Sequence, residues 1–213
     1  MRFGPARSTT VRRVSPWVRC SVPTLALLLA GAAPLYATAV PGDPSASVRA
    51  ALDKASAAAA EQTRDAQLAS LRVVAHALVD TQAMGRRAIG ARFESYTEAQ
   101  QQEFLRLFDE LFVRSYLQKL LLFRNPTFRV GREQRRGDAT FVPTQIVVNQ
   151  ETYAVDYEML REGEQWRASD VVVEGVSMTS NYSDQFASLL RERSIDELID
   201  LMRRKVEHIT DAK

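Results

Sequence analysis

The hydrophobic repeat of this chain changes period twice, and that limits the folds open to it. Phe104, Leu107, Phe108, Leu111 and Phe112 recur at i, i+3, i+4, i+7 and i+8, and Tyr116 and Leu120 extend the stripe. This is the spacing of one helix face. From Phe128 the period falls to two. Phe128 and Val130 mark a first strand, and Val142, Thr144, Ile146 and Val148 a second. Tyr153, Val155, Tyr157 and Met159 mark a third, and Trp166 to Val173 a fourth. Arg136-Gly137-Asp138 and Glu162-Gly163-Glu164 are turn sequences, and Pro143 marks its strand as an edge or a bulge. The helical period then returns with Tyr182, Phe186, Leu189 and Leu190, and again with Leu198, Ile199, Leu201 and Met202. Four strands joined by short turns read as an antiparallel meander. With N-terminal helices before it and two helices after it, the class is α+β, the helices packing on one face of the sheet.

Cap signals divide the helices. Thr97 to Gln100 ("TEAQ") and Ser194 to Glu197 ("SIDE") are capping boxes. Asp80 or Thr81 caps a helix carrying Met84, Ala88 and Ile89, which Gly90 helps to end. Leu68, Leu71, Val74, Ala75 and Leu78 follow helical spacing, and Ala50 to Ala60 is helix-prone with a thin apolar face. Leu117, Leu121, Leu122 and Phe123 widen the long stripe before Asn125-Pro126 closes it. A helix apolar on more than one side needs several neighbours, or a ligand, to cover it.

The first 39 residues have a different character. They hold five arginines, no acid and the apolar run "SVPTLALLLAGAAPLYATA". Ala37-Thr38-Ala39 has the small-x-small form of a cleavage site, so residues 1–39 read as a secretory signal peptide. A membrane anchor fits less well, because Pro23 and Pro34 interrupt a run already short for a span of about 20 residues. Residues 40–213 then form one domain with an ordered core from about 47 to 208. Five of the 28 basic residues leave with the leader, so 23 basic and 26 acidic residues remain, net −3. Bulk charge therefore gives no argument for nucleic-acid binding. Cys20, the single cysteine, lies in the leader, which leaves no disulfide, thiol nucleophile or thiolate metal site in the rest.

Catalytic signatures are weak. Gly175-Val176-Ser177-Met178-Thr179 has the outline of a hydrolase elbow but has threonine where a second glycine belongs. Beyond the leader stand only His76, among apolar residues of a helix, and His208, in the charged C-terminal tail. They make neither a convincing base nor a metal set. Asp156 and Glu158 share one strand face, and Asp170 shares one with Val172; the solvent face of a sheet is the expected place for such carboxylates. Arg129, Arg132, Arg135 and Arg136 gather at the first hairpin without interleaved aromatics, as on a solvated edge. The reading is no catalytic residue, no metal and no cofactor.

Over most of residues 80–205 the chain resembles the MlaC, or toluene-tolerance, family. The resemblance lies in "MGRRAIGARF", "YTEAQQQEFLRLFDELFVRSY", "VDYEMLREGEQWRASDVVVEGVSMTSNYSDQF" and "DELIDLMRRK". It implies a periplasmic carrier of diacyl phospholipid with a cavity between sheet and helices. It implies two partners: an inner-membrane ABC transporter complex with its lipid-binding substrate protein, and an outer-membrane lipoprotein complex. A hopanoid carrier of the same superfamily, a cone-fold isomerase or dehydratase, and an adaptor that binds no lipid are the alternatives.

Two acyl chains of roughly 15 carbons cost on the order of 20 kcal/mol to bring bare into water. A carrier therefore needs an apolar pocket of roughly 1,000 Å³. The expected lipid contacts from the helices are Met84, Ala88, Phe104, Leu107, Phe108, Leu111, Phe112 and Tyr116. From the strands they are Val142, Ile146, Val155, Tyr157, Met159 and Val172. Met178, Tyr182 and Phe186 complete the set, with Met178 to Tyr182 expected at the cavity mouth.

Overall fold

The computed structural model describes residues 42–121 and 126–211. The expected leader, together with Leu122, Phe123 and Asn125, lies outside the described residues. The helices before the sheet are α1 (Pro44–Ala59), α2 (Arg64–Leu78), α3 (Thr81–Ile89) and α4 (Glu98–Leu120), with a 3-10 turn at Gly90–Ser95. The strands are β1 (Thr127–Val130), β2 (Gln134–Arg136), β3 (Ala139–Val148), β4 (Glu151–Glu162), β5 (Gln165–Val173) and β6 (Val176–Ser177). The closing helices are α5 (Met178–Leu189) and α6 (Ile195–Asp211). The class is α+β, with the antiparallel order β1-β3-β4-β5-β6 and β2 also paired to β3. The four expected strands are present, and β2 and β6 are two short additions.

The caps form where the sequence places them. In the first capping box the Gln100 N–H donates to Thr97 Oγ1 at 3.3 Å, and the Thr97 N–H donates to Gln100 Oε1 at 3.1 Å. Ser194 and Glu197 repeat this at α6 with bonds of 2.8 and 3.3 Å. Asp80, not Thr81, caps α3 by accepting from the Ala83 N–H at 2.9 Å. Asp43 caps α1 with Pro44 in its first turn.

Pro143 is on neither an edge nor a bulge. It lies on β3, which is paired on both sides. On one side β1 ends opposite Thr144, and β2 begins only opposite Phe141. In a strand the N–H and C=O of one residue point the same way. The Pro143 carbonyl accepts from the Gly131 N–H at 2.8 Å, so its missing donor faces the gap between β1 and β2. A Cβ on Gly131 would meet the Pro143 ring at 2.9 Å and the Pro143 carbonyl oxygen at 3.1 Å, so only glycine allows this approach.

The joint between α2 and α3 is sewn to β5. Val79 bridges to Ala168, the Asp80 N–H donates to the Ala168 carbonyl at 2.8 Å, and Arg167 reaches Asp80 at 3.5 Å. Nearby, β5 carries one extra residue: Glu158 pairs with Asp170 but Met159 with Ala168, which leaves Ser169 unpaired in the ladder. This bulge resets the alternation of β5.

Asp170 departs from expectation. It was expected at the solvent face and is only 2% exposed. One carboxylate oxygen accepts from the Val171 N–H (2.8 Å), the Thr179 N–H (3.0 Å) and the Thr179 hydroxyl (2.8 Å), and the other from the Ser177 hydroxyl. Ser177 Oγ in turn accepts from the Ser180 N–H at 3.0 Å, the N-cap bond of α5. The strand-to-helix junction is therefore wound around one buried carboxylate, whose charge is met by four donors.

Two predictions come from these contacts. Asp170→Ala strands buried donors and should lower the unfolding free energy in urea by about 3 kcal/mol. Ser177→Ala should cost about 1 kcal/mol, the worth of a cap. The second concerns Glu103 of α4, which pairs with Arg106 on its own helix (2.8 Å) and joins α6 through Arg203 (3.0 Å). The Arg106 hydrogen bond, supported by Arg203 against the effect of burial, holds the Glu103 carboxyl down to about 2 from an ordinary 4.5. A depressed folded value contributes stability that is present above about 4.5 and lost as pH falls toward 2. Glu103→Gln should flatten acid unfolding in that window, an effect that shrinks in high salt because the pair is partly exposed.

Candidate functional site

The lower half of α4 is the place to begin. Its first half is buried among helices: Phe104 stacks edge-on against Phe186 with ring centroids 5.4 Å apart, and Phe108 against Tyr182 at 5.1 Å. Beyond Phe108, the α4 side chains Phe112, Val113, Tyr116, Leu117 and Leu120 wall a cavity of about 270 Å³.

The remaining wall comes from two other layers. Helix α1 contributes Ala51, Leu52 and Ala55, and α2 contributes Leu71, Val74, Ala75 and Leu78, followed by Val79. The sheet contributes Ile146 from β3, Tyr153, Val155 and Tyr157 from β4, and Val171 and Val173 from β5. The sheet residues share a face by register, since Val155 pairs with Val173 and Tyr157 with Val171. Among the described residues no Asp, Glu, Lys, Arg or His lines this cavity, and the polar side chains on it are three tyrosines.

Those tyrosines differ. The Tyr153 hydroxyl donates to Glu151 Oε2 at 2.5 Å, toward solvent. The Tyr116 hydroxyl donates to Met178 Sδ. Burial, with Tyr182 and Asp170 adding to it, pushes the Tyr116 phenol up to about 12. Burial alone pushes Tyr157 to about 12. Tyr116 and Tyr157 are therefore neutral near pH 7 and offer donors without charge.

Charge stands behind the wall. Arg72 pairs with Glu110 at 2.9 Å, and His76 with Asp109 at 3.0 Å, tying α2 to α4. His76 is thus not packed among apolar side chains as the sequence suggests, but is half-exposed and hydrogen-bonded to Asp109. Thr81 Oγ1 donates to the same Asp109 at 2.6 Å. Arg136, from the arginine cluster, pairs with Asp156 at 3.0 Å and covers the Phe141 ring. Among the described residues no group of three or more His, Cys, Asp or Glu is arranged to hold a metal ion.

The structure brings together on the wall five residues singled out in the sequence: Phe112, Tyr116, Ile146, Val155 and Tyr157. Val142 and Met159 are buried in the sheet but do not line the cavity. Met84, Phe104, Leu107, Phe108, Leu111, Met178 and Phe186 are buried in the core away from the wall, with the half-buried Tyr182 packed against them. Ala88 lines a separate groove with Ile89, Ser183 and Ala187. Val172 pairs with Asp156, on the sheet face opposite Val171 and Val173. The segment Met178 to Tyr182 forms the first turn of α5 behind the wall, touching it through the Met178–Tyr116 contact. The contributions of α1 and α2 went unforeseen, although the spacing of Leu71, Val74, Ala75 and Leu78 already marked an inward face.

Known proteins resemble this chain in sequence and in fold. A family profile described as "MlaC protein" matches residues 45–204. A relative from Haemophilus influenzae, named intermembrane phospholipid transport system binding protein MlaC, is 26% identical over 132 residues. That match covers 59% of this chain and 62% of the relative. A solved structure from Ralstonia solanacearum, a phospholipid-binding protein in complex with a phospholipid, superimposes with a TM-score of 0.71 at 22% identity. It covers 79% of this chain and 99% of the other, and at that identity it speaks for the fold.

The face assignment of β5 generates a test. Val173→Phe places a ring in the cavity and should weaken uptake of an apolar fluorescent dye several-fold. Val172→Phe, on the other face, should leave dye uptake at the parent level, with circular dichroism reporting the fold of both variants.

Proposed function

Because the chain belongs to the MlaC family, we propose that it is a soluble periplasmic carrier of diacyl phospholipid. The observation that supports this most is the cavity itself: between sheet and helices stands a wall of aliphatic and aromatic side chains, with no acid or base among its described residues. Each buried methylene is worth about 0.8 kcal/mol, so such a wall replaces the membrane interior for an acyl chain. A wall without ionic groups offers nothing to a charged headgroup, which stays near solvent. The names borne by the Haemophilus and Ralstonia proteins point the same way.

In this reading residues 1–39 direct export, and residues 40–213 act as one lipid-binding domain. The carrier exchanges lipid with an inner-membrane ABC transporter complex and its lipid-binding substrate protein, and with an outer-membrane lipoprotein complex. The activity is transfer without a chemical reaction; Ser177 serves as the cap of α5. The expected contacts at Phe112, Tyr116, Ile146, Val155 and Tyr157 bear on the acyl chains. The other expected contacts bear on the packing that holds the wall.

The cavity of about 270 Å³ is well below what two acyl chains fill. Entry of a diacyl lipid therefore requires α1 and α2 to move outward from the sheet. Their inner face suits such motion, because Ala51, Ala55 and Ala75 interlock little with the opposite wall.

Organic extraction of exported, purified protein should release diacyl phospholipid, and the protein should move labelled phospholipid between vesicles. N-terminal sequencing of the same material should begin within a few residues of Val40. Protein that carries no lipid and transfers none would favour the adaptor. Turnover of an added ester by the parent would favour the enzyme.

A further inference from the structure

The sheet under the cavity carries two hydroxyls that the fold itself leaves unused, one on the cavity wall and one buried beside it. Thr144 is 2% exposed, and its Oγ1 has no hydrogen-bond partner. Tyr157 lines the cavity, is 9% exposed, and makes no hydrogen bond with any described residue. Register places the two side by side. Thr144 pairs with Val155 and Val142 with Tyr157, so Thr144 and Tyr157 are diagonal neighbours on one sheet face. The other polar groups of the wall are engaged, Tyr116 with Met178 and Tyr153 with Glu151. Buried hydroxyls are rarely left unpaired, and a pair of them on an apolar surface marks the place where a ligand supplies the missing partner.

The chemistry of that partner is narrow. A hydroxyl donor asks for an acceptor. A phosphate or carboxylate would arrive as a charge with no cation among the described wall residues to meet it. An ordered buried water typically makes about three hydrogen bonds, and two hydroxyls leave it short of that. A neutral carbonyl oxygen fits. We propose that Tyr157, with Thr144 beside it, donates a hydrogen bond to an acyl-ester carbonyl of the bound lipid, and so sets how deep the lipid sits. This rests on the carrier reading. Thr144 lies beneath the wall, and the widening that admits a diacyl lipid brings its hydroxyl into play.

The test compares esters with ethers. Pyrene-labelled phosphatidylglycerol bound to the purified full chain is displaced by vesicles of diester phosphatidylglycerol or of its dialkyl-ether analogue, which has no carbonyl. The parent should prefer the diester by several-fold, up to about tenfold. Tyr157→Phe should abolish that preference and Thr144→Val should reduce it, each by weakening the diester more than the ether. In the lipid-free state neither variant should melt below the parent, since neither hydroxyl has a partner to lose. Equal binding of ester and ether by the parent would overturn the proposal and leave the carrier intact. So would a Tyr157→Phe protein that keeps the preference, or one that loses both ligands alike. A Thr144→Val protein with full preference would remove Thr144 alone from the proposal. A parent that binds neither lipid would remove the carrier reading, and this proposal with it.

Discussion

One helix is more apolar than a single neighbour can cover, and the architecture follows from that. Helix α4 buries Phe104, Leu107 and Phe108 almost completely. If its lower half were treated the same way, the protein would have a larger solid core and no interior space. Instead, α3 and α5 pack against the upper half, while the thin, alanine-bearing α1–α2 pair faces the lower half across the cavity and α6 runs along α4 as far as Gln118. Small side chains opposite large ones leave room that the backbone, fixed by caps and ladders, does not close. The cavity is thus a consequence of which helices meet which half of α4.

Charge is distributed to suit. The ion pairs of α2 with α4 and of α4 with α6 lie at partly exposed positions, where they orient the helices at small energetic worth. Asp170, the deeply buried carboxylate among the described residues, is enclosed by donors and serves the junction into α5. The described wall of the cavity carries no charge, so its surface offers mainly dispersion contacts.

Most of the fold was legible in the sequence. Periods of 3.6 and 2 give the elements, and the capping boxes at Thr97 and Ser194 give two helix starts. The site was legible only in part, for reasons that lie in particular residues. Val171, Val172 and Val173 are consecutive, so no alternation tells which of them faces inward. The bulge at Ser169, which sets their phase, has no sequence signature of its own. The alanines of α1 read as helix propensity, and only their position opposite Phe112 and Tyr116 makes them a wall. Asp170 and Val172 read as surface and lining, but a strand pattern cannot show what a following helix folds over.

Pro143 has a wider bearing. Where it sits on β3, the outer neighbour is not one strand but two short ones with a gap between them. The rim of the sheet is therefore interrupted, and Arg129, Arg132 and Arg135 stand exposed along it. An uninterrupted, uncharged rim would be a template on which a second chain could add its own strand. The broken, positively charged rim of this sheet withholds that template from another copy.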